Sequence, residues 1–203
     1  LFTKELAYSL LDQGETIGGI FLEEGIKRTV QAFCSIPLNV PLHLKPEGAD
    51  RDELRKAWES TVGTGRLYLY DSFGSVETDN LLSRIRYLHK SLGCGFIILD
   101  HISIVVSGLD QDNERKAIDI VMTKLRSLVE ETGIGLILVS HLKRLQGDRS
   151  HEDGATTSLS HLRGSAAIAQ LSDCVLGLER DQQSEDRNKT QVRVLKNRTS
   201  GVT

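Results

Sequence analysis

The chain has 203 residues, 39% hydrophobic and 26% charged, with a net charge of -3. The length suits one domain with a substantial core. The charge gives no global case for binding nucleic acid or a membrane surface, so any such case must be local. No apolar run approaches the roughly 20 residues that span a bilayer. Cys34, Cys94 and Cys174 are odd in number, widely spaced and without CxxC, which points to a reduced cytoplasmic setting without disulfides. No signal peptide precedes Leu1, no Met initiates the chain, and both ends look cut, so a fragment of a longer protein is expected.

In chain order, Leu6, Ala7, Leu10 and Leu11 fall at helical spacing within residues 2–13, and Gly14 supplies a stop. Ile17-Gly18-Gly19-Ile20-Phe21-Leu22 reads as a short buried strand ending at Glu23-Glu24. A second helix is expected over about 24–34. Residues 35–49 hold Pro37, Pro41 and Pro46 and read as loop. A charged helix follows over about 50–62, with Leu54, Ala57 and Trp58 on one face, and then a strand at Leu67–Tyr70. Residues 76–92 form a helix with Leu81, Leu82, Ile85, Leu88 and Leu92 on one face.

Phe96-Ile97-Ile98-Leu99, after Gly93 and Gly95, reads as a strand buried on both faces, the mark of a parallel sheet, and Asp100 closes it. The longest helix spans 111–132, with Ile118, Val121, Leu125, Leu128 and Val129 in the three–four rhythm of packing. Gly133 ends it, and a second buried strand over 134–141 finishes in Ser140-His141. A polar loop to about Ser160 and a short helix after Arg163-Gly164-Ser165 come next. Strands near 173–179 and 191–197, joined by the polar turn Asp181–Asn188, suggest an antiparallel hairpin. Strands alternating with helices predict an α/β fold, a mostly parallel sheet flanked by helices, in a single domain over 1–203.

Ligands of such folds bind at the carboxyl ends of the strands. An acid there, Asp100, can hold Mg²⁺ directly or through water beside nucleotide phosphates. In a parallel sheet Glu23, Asp100 and His141 project from one edge: a metal ligand, a carboxylate able to orient water, and a neutral hydrogen-bonding group. That set suits phosphoryl transfer to water, and Glu24 is open to sharing or replacing Glu23's part. Singly, each residue also reads as a loop cap or a structural hydrogen bonder. The phosphate-cradling Walker A pattern, GxxxxGK followed by Ser or Thr, does not occur in residues 1–203. Either the chain is no nucleotide hydrolase, or that loop and its strand lie just upstream of Leu1, where they would open the first helix. The other histidines (His43, His89, His101, His151, His161) show no metal-ligand spacing and read as structural or surface residues.

The run Phe96–Val106, the helix Asn113–Leu125, Val139-Ser140-His141-Leu142-Lys143, Leu162-Arg163-Gly164-Ser165-Ala166, Gln170-Leu171-Ser172-Asp173, Leu178-Glu179-Arg180 and Leu195-Lys196-Asn197-Arg198 resemble the helicase domain of lytic-phage primase-helicases, relatives of bacterial DnaB and mitochondrial Twinkle. The resemblance is dense from about residue 67 to 203 and thinner over 1–66, where Phe21-Leu22-Glu23-Glu24 is the anchor. It implies a RecA-like core, here without its Walker A strand and loop, in homo-hexameric rings around single-stranded DNA. Such rings hydrolyse a nucleoside triphosphate, ATP or dTTP with Mg²⁺, at subunit interfaces. It also implies a linked or separate primase and the replicative polymerase as partners, no membrane association, and work in the cytoplasm, that of a host bacterium if the protein is phage-encoded.

Position by position, the resemblance assigns Glu23 to activating the attacking water and Asp100 to positioning Mg²⁺. It assigns His141 to sensing the γ-phosphate, and Arg198 with Lys196 to reaching into the neighbouring subunit's site. Alternation along a strand puts Lys196 and Arg198 on one face. Gln170 and Arg180 match positions near the nucleotide. Lys143, Arg144, Arg149, Arg163 and Gly164 match elements that grip the DNA backbone, although Asp148, Glu152 and Asp153 dilute the basic patch. Backbone contact implies little sequence preference and strong salt dependence. Two other readings stand beside this one: a RecA-type recombinase or regulatory DNA-dependent ATPase, and a binding module that is non-catalytic as given.

Overall fold

In two places a long helix ends on a left-handed glycine, and the chain turns directly into a strand. Helix α4 (Thr78–Lys90) stops at Gly93, φ +70°, ahead of β3 (Phe96–Asp100), and α6 (Gln111–Thr132) stops at Gly133, φ +72°, ahead of β4 (Gly135–Leu138). Glycine takes that conformation without a Cβ penalty and lets the last helical carbonyls find donors. Here Gly93 N–H bonds the His89 carbonyl and Gly133 N–H that of Val129. The computed structural model describes residues 2–71, 76–106, 111–144, 150–151, 153–163, 166–183, 185 and 189–201, with backbone alone at 111 and 112.

The chain divides into two units, Leu1–Ser107 with Ser127–Val139, and Gly108–Arg126 with Ser140–Thr203. The first holds α1 (Phe2–Asp12), β1 (Ile17–Phe21), α2 (Ile26–Leu38), α3 (Arg51–Glu59), a 3₁₀ turn, β2 (Leu67–Tyr70), α4, β3, α5 (Ile102–Val105), the end of α6, and β4. Its four strands are all parallel, in the order β2-β1-β3-β4. The two central strands are the most buried: every residue of β1, and Ile97, Ile98 and Leu99 of β3. Ala7 and Leu11 of α1 pack with Phe21, Phe33, Leu67 and Ile98 around the sheet, and the rings of Phe21 and Phe33 meet edge to face at 6.1 Å. Helix α3 starts with a capping box in which Asp50 accepts from the Asp52 and Glu53 amides and Glu53 accepts from that of Asp50.

The second unit contains the first part of α6, α7 (Ala166–Leu171) and an antiparallel hairpin of β5 (Cys174–Glu179) and β6 (Gln191–Asn197). Among the described residues no helix is long and apolar enough to cross a membrane.

The structure departs from the sequence reading in three places. Helix α2 runs through Pro37 to Leu38, where the prolines predict a loop from residue 35. A proline there forfeits one helical hydrogen bond, and the helix ends one residue later with Asn39 in the left-handed conformation. Strand β4 stops at Leu138 rather than 141, although Val139 still bonds the Leu99 carbonyl. Trp58 is half exposed rather than on the packed face of α3, because Ala57 takes the buried position and the indole lies over Gly63.

Candidate functional site

The parallel pairing of β1 with β3 sets Phe21 opposite Asp100, and Leu22 N–H bonds the Asp100 carbonyl at 2.8 Å. Glu23, two residues past Phe21, therefore leaves the sheet at the edge that Asp100 closes. Its side chain is 51% exposed, and its Oε1 lies 2.8 Å from Nε2 of the buried His101. A carboxylate only accepts, so the imidazole donates. That bond fixes one oxygen and leaves the other toward solvent. Glu24 has a different partner: it pairs with the buried Lys4 of α1, whose ammonium also lies 4.7 Å from the Phe21 ring centroid. Asp100 is half-buried, and burial pushes its carboxyl above the ordinary value, with Lys4 and His101 pulling the other way and Glu23 adding to the rise. A partly desolvated carboxylate at a strand end, beside a second acid, is an oxygen donor set suited to Mg²⁺.

His101 and Lys4 are absent from the sequence-derived site. Lys4 lies far from both acids in sequence and gives no local signal. For His101 the signal is adjacency: it follows Asp100 directly. His141 is exposed two residues beyond Val139, in the second unit.

In that unit, Leu142 and Leu162 form an antiparallel bridge. The Lys143 amide bonds the His161 carbonyl at 2.7 Å, and the Arg163 amide that of His141 at 2.9 Å. The bridge brings exposed Lys143 and Arg163 onto neighbouring segments, with exposed Arg144 next along. Arg149 and Gly164 lie outside the described residues. Lys143 and Gln170 also line one cleft of about 610 Å³, together with Arg115 and Asp119 of α6.

Lys196 and Arg198 do share a face, and both reach the carboxyl end of α7. Lys196 Nζ donates to the carbonyls of Ala169, Gln170 and Ser172, and Arg198 donates to the Gln170 carbonyl at 2.7 Å and to Asp173 at 3.1 Å. Cations at a helix C-terminus satisfy its open carbonyls and oppose its dipole. Arg180 is exposed after buried Glu179.

A parallel sheet with acids gathered at its carboxyl edge, followed by an antiparallel hairpin, defines the class: the RecA-like α/β domains of nucleotide-driven motors. The fold comparison agrees. The solved ATPase domain of a DnaB-like helicase superposes with a TM-score of 0.76 over 98% of this chain and 72% of that one, at 19% identity. A DnaB-like replicative helicase, whose structure describes its interactions with primase, superposes at 0.74 over 93% of this chain and 46% of that one, at 20% identity.

In sequence, a profile of the DnaB-like helicase C terminal domain matches residues 23–203. The DNA helicase/primase of Enterobacteria phage T3 is 39% identical over 94% of this chain, and the replicative DNA helicase DnaC of Bacillus subtilis is 27% identical over 93%. The chain belongs to the DnaB-like helicase C-terminal domain family. It spans 34% of the length of the phage relative and 42% of the bacterial one.

Proposed function

We propose that this chain is the motor domain of a replicative DNA helicase, in which hydrolysis of ATP or dTTP between subunits of a homo-hexamer drives movement along single-stranded DNA and unwinding of duplex. The observation that carries this reading is the register of β1 and β3, which sets Glu23 and Asp100 side by side at one sheet edge. Family membership supports the same reading.

Asp100 would hold Mg²⁺, which when bound neutralises charge on the phosphate oxygens. Glu23 would accept the proton of the attacking water on its solvent-facing oxygen while His101 holds the other. His141 would sense the terminal phosphate. Arg198 and Lys196, converging on the Gln170 carbonyl, would serve the phosphate of the next subunit, with Gln170 and Arg180 near its nucleotide. Lys143, Arg144, Arg149, Arg163 and Gly164 would grip the DNA backbone. A primase, linked or separate, and the replicative polymerase are the partners this role requires.

In the native protein, Arg198→Ala is expected to lower DNA-stimulated hydrolysis by about 10³–10⁵-fold while nucleotide binding persists, the effect typical of an arginine finger. Normal turnover by that variant would reject the assignment.

A further inference from the structure

His151 and His161, both in the second unit, stand edge to face with ring centroids 5.2 Å apart and planes at 61°. Both ring nitrogens of His151 and Nδ1 of His161 are shut off from solvent and have no hydrogen-bond partner among the described residues. A neutral imidazole carries one N–H and one lone pair, and each needs a partner when buried. Buried polar atoms without partners are rare in folded proteins, and a bound ion is one of the few explanations for them. We propose that His151 and His161 form a binding site for a divalent transition-metal ion of the Zn²⁺ class, each ligating through one ring nitrogen.

The spacing supports this. Two imidazoles bound tetrahedrally at ~2.0–2.1 Å from nitrogen to metal place their ring centroids about 5 Å apart, and the observed separation is 5.2 Å. Imidazole nitrogen suits Zn²⁺, Ni²⁺ and Cu²⁺, whereas Mg²⁺ takes oxygen, so the site is chemically distinct from Asp100. The nearby Asp153 carboxylate already accepts from Ser150 N and Oγ at 3.0 and 2.8 Å, so water would fill the remaining positions. The site's location has a structural consequence. The His161 carbonyl receives the Lys143 amide, and the metal would tie residue 151 to that bridged pair, closing the segment between them. The site stands whether or not the carboxyl edge hydrolyses nucleotide, because none of its atoms belongs to that edge.

The test is equilibrium dialysis of the native protein against Zn²⁺, with Co²⁺ as an optical probe of tetrahedral coordination. Wild type is expected to bind one ion per chain at this pair. His151→Gln and His161→Gln should each weaken binding by about tenfold or more, since even loss of an outer-shell partner costs 10–100-fold. Where a substitution spoils folding, histidine ring resonances of the wild-type protein provide the readout, and Zn²⁺ should shift those of His151 and His161 together. Absence of stoichiometric binding, or binding that persists unchanged in both variants, or ring resonances of the pair unmoved by Zn²⁺, would overturn the site and leave a water-filled histidine pair.

Discussion

Glu23 and Glu24 are neighbours of identical chemistry set in different surroundings. Glu24 is tied to a buried ammonium, Lys4, and so helps hold α1 to the end of β1. Glu23 leans on an imidazole and keeps an oxygen toward solvent. Alternation past the end of a strand suggests that two adjacent side chains diverge, but not which of them meets a lysine from a distant helix. Glu179 shows the same limit. It is buried in the hairpin, where Arg193 hydrogen bonds, together with the amide and hydroxyl of Thr157, hold its carboxyl down to about 2 from the ordinary 4.5. A depressed acid contributes stability that is fully present above its unfolded value and is lost as pH falls through the folded one. Urea unfolding should therefore show Glu179→Gln weaker than wild type by about 1–3 kcal/mol at pH 7. The gap should narrow as pH falls from about 4.5 toward 2. A gap independent of pH would mean that the lost contact is not ionic.

At the scale of elements, apolar runs and turn residues made the strands and the hairpin legible, because a buried strand needs little beyond its own composition to declare itself. Pairing order and register were not legible, since periodicity does not say which strand lies beside which. Two contacts central to the site were hidden for the same reason: Lys196 and Arg198 against the end of α7, and His151 against His161, each joining residues far apart in sequence. The glycines of β1 show how close its packing is. A Cβ on Gly18 would lie 2.7 Å from Ile97 Cδ1 and 2.9 Å from Leu88 Cδ1, so α4 and β3 approach a strand that has no room for a side chain there. Gly18→Val should cost about 1–3 kcal/mol in urea unfolding through overpacking. A variant as stable as wild type would show that α4 can move away without penalty.

For the whole molecule, family membership rests on motif order along the chain, which the sequence displays directly, whereas the motor reading rests on three-dimensional adjacency. Residues 1–203 carry the acidic edge but no Walker A pattern. Hydrolysis therefore belongs to the protein in which this domain works with a phosphate cradle and with neighbouring subunits. The central claim is that Glu23, and not Glu24, takes the proton of the attacking water beside Asp100. DNA-stimulated triphosphate hydrolysis by Glu23→Gln and Glu24→Gln in the native protein tests it most directly. Glu23→Gln should lose about 10²–10⁴-fold in rate, as removal of a general base does, while Glu24→Gln keeps most of its turnover and loses stability instead. Full turnover by Glu23→Gln, with loss in Glu24→Gln, would contradict the account.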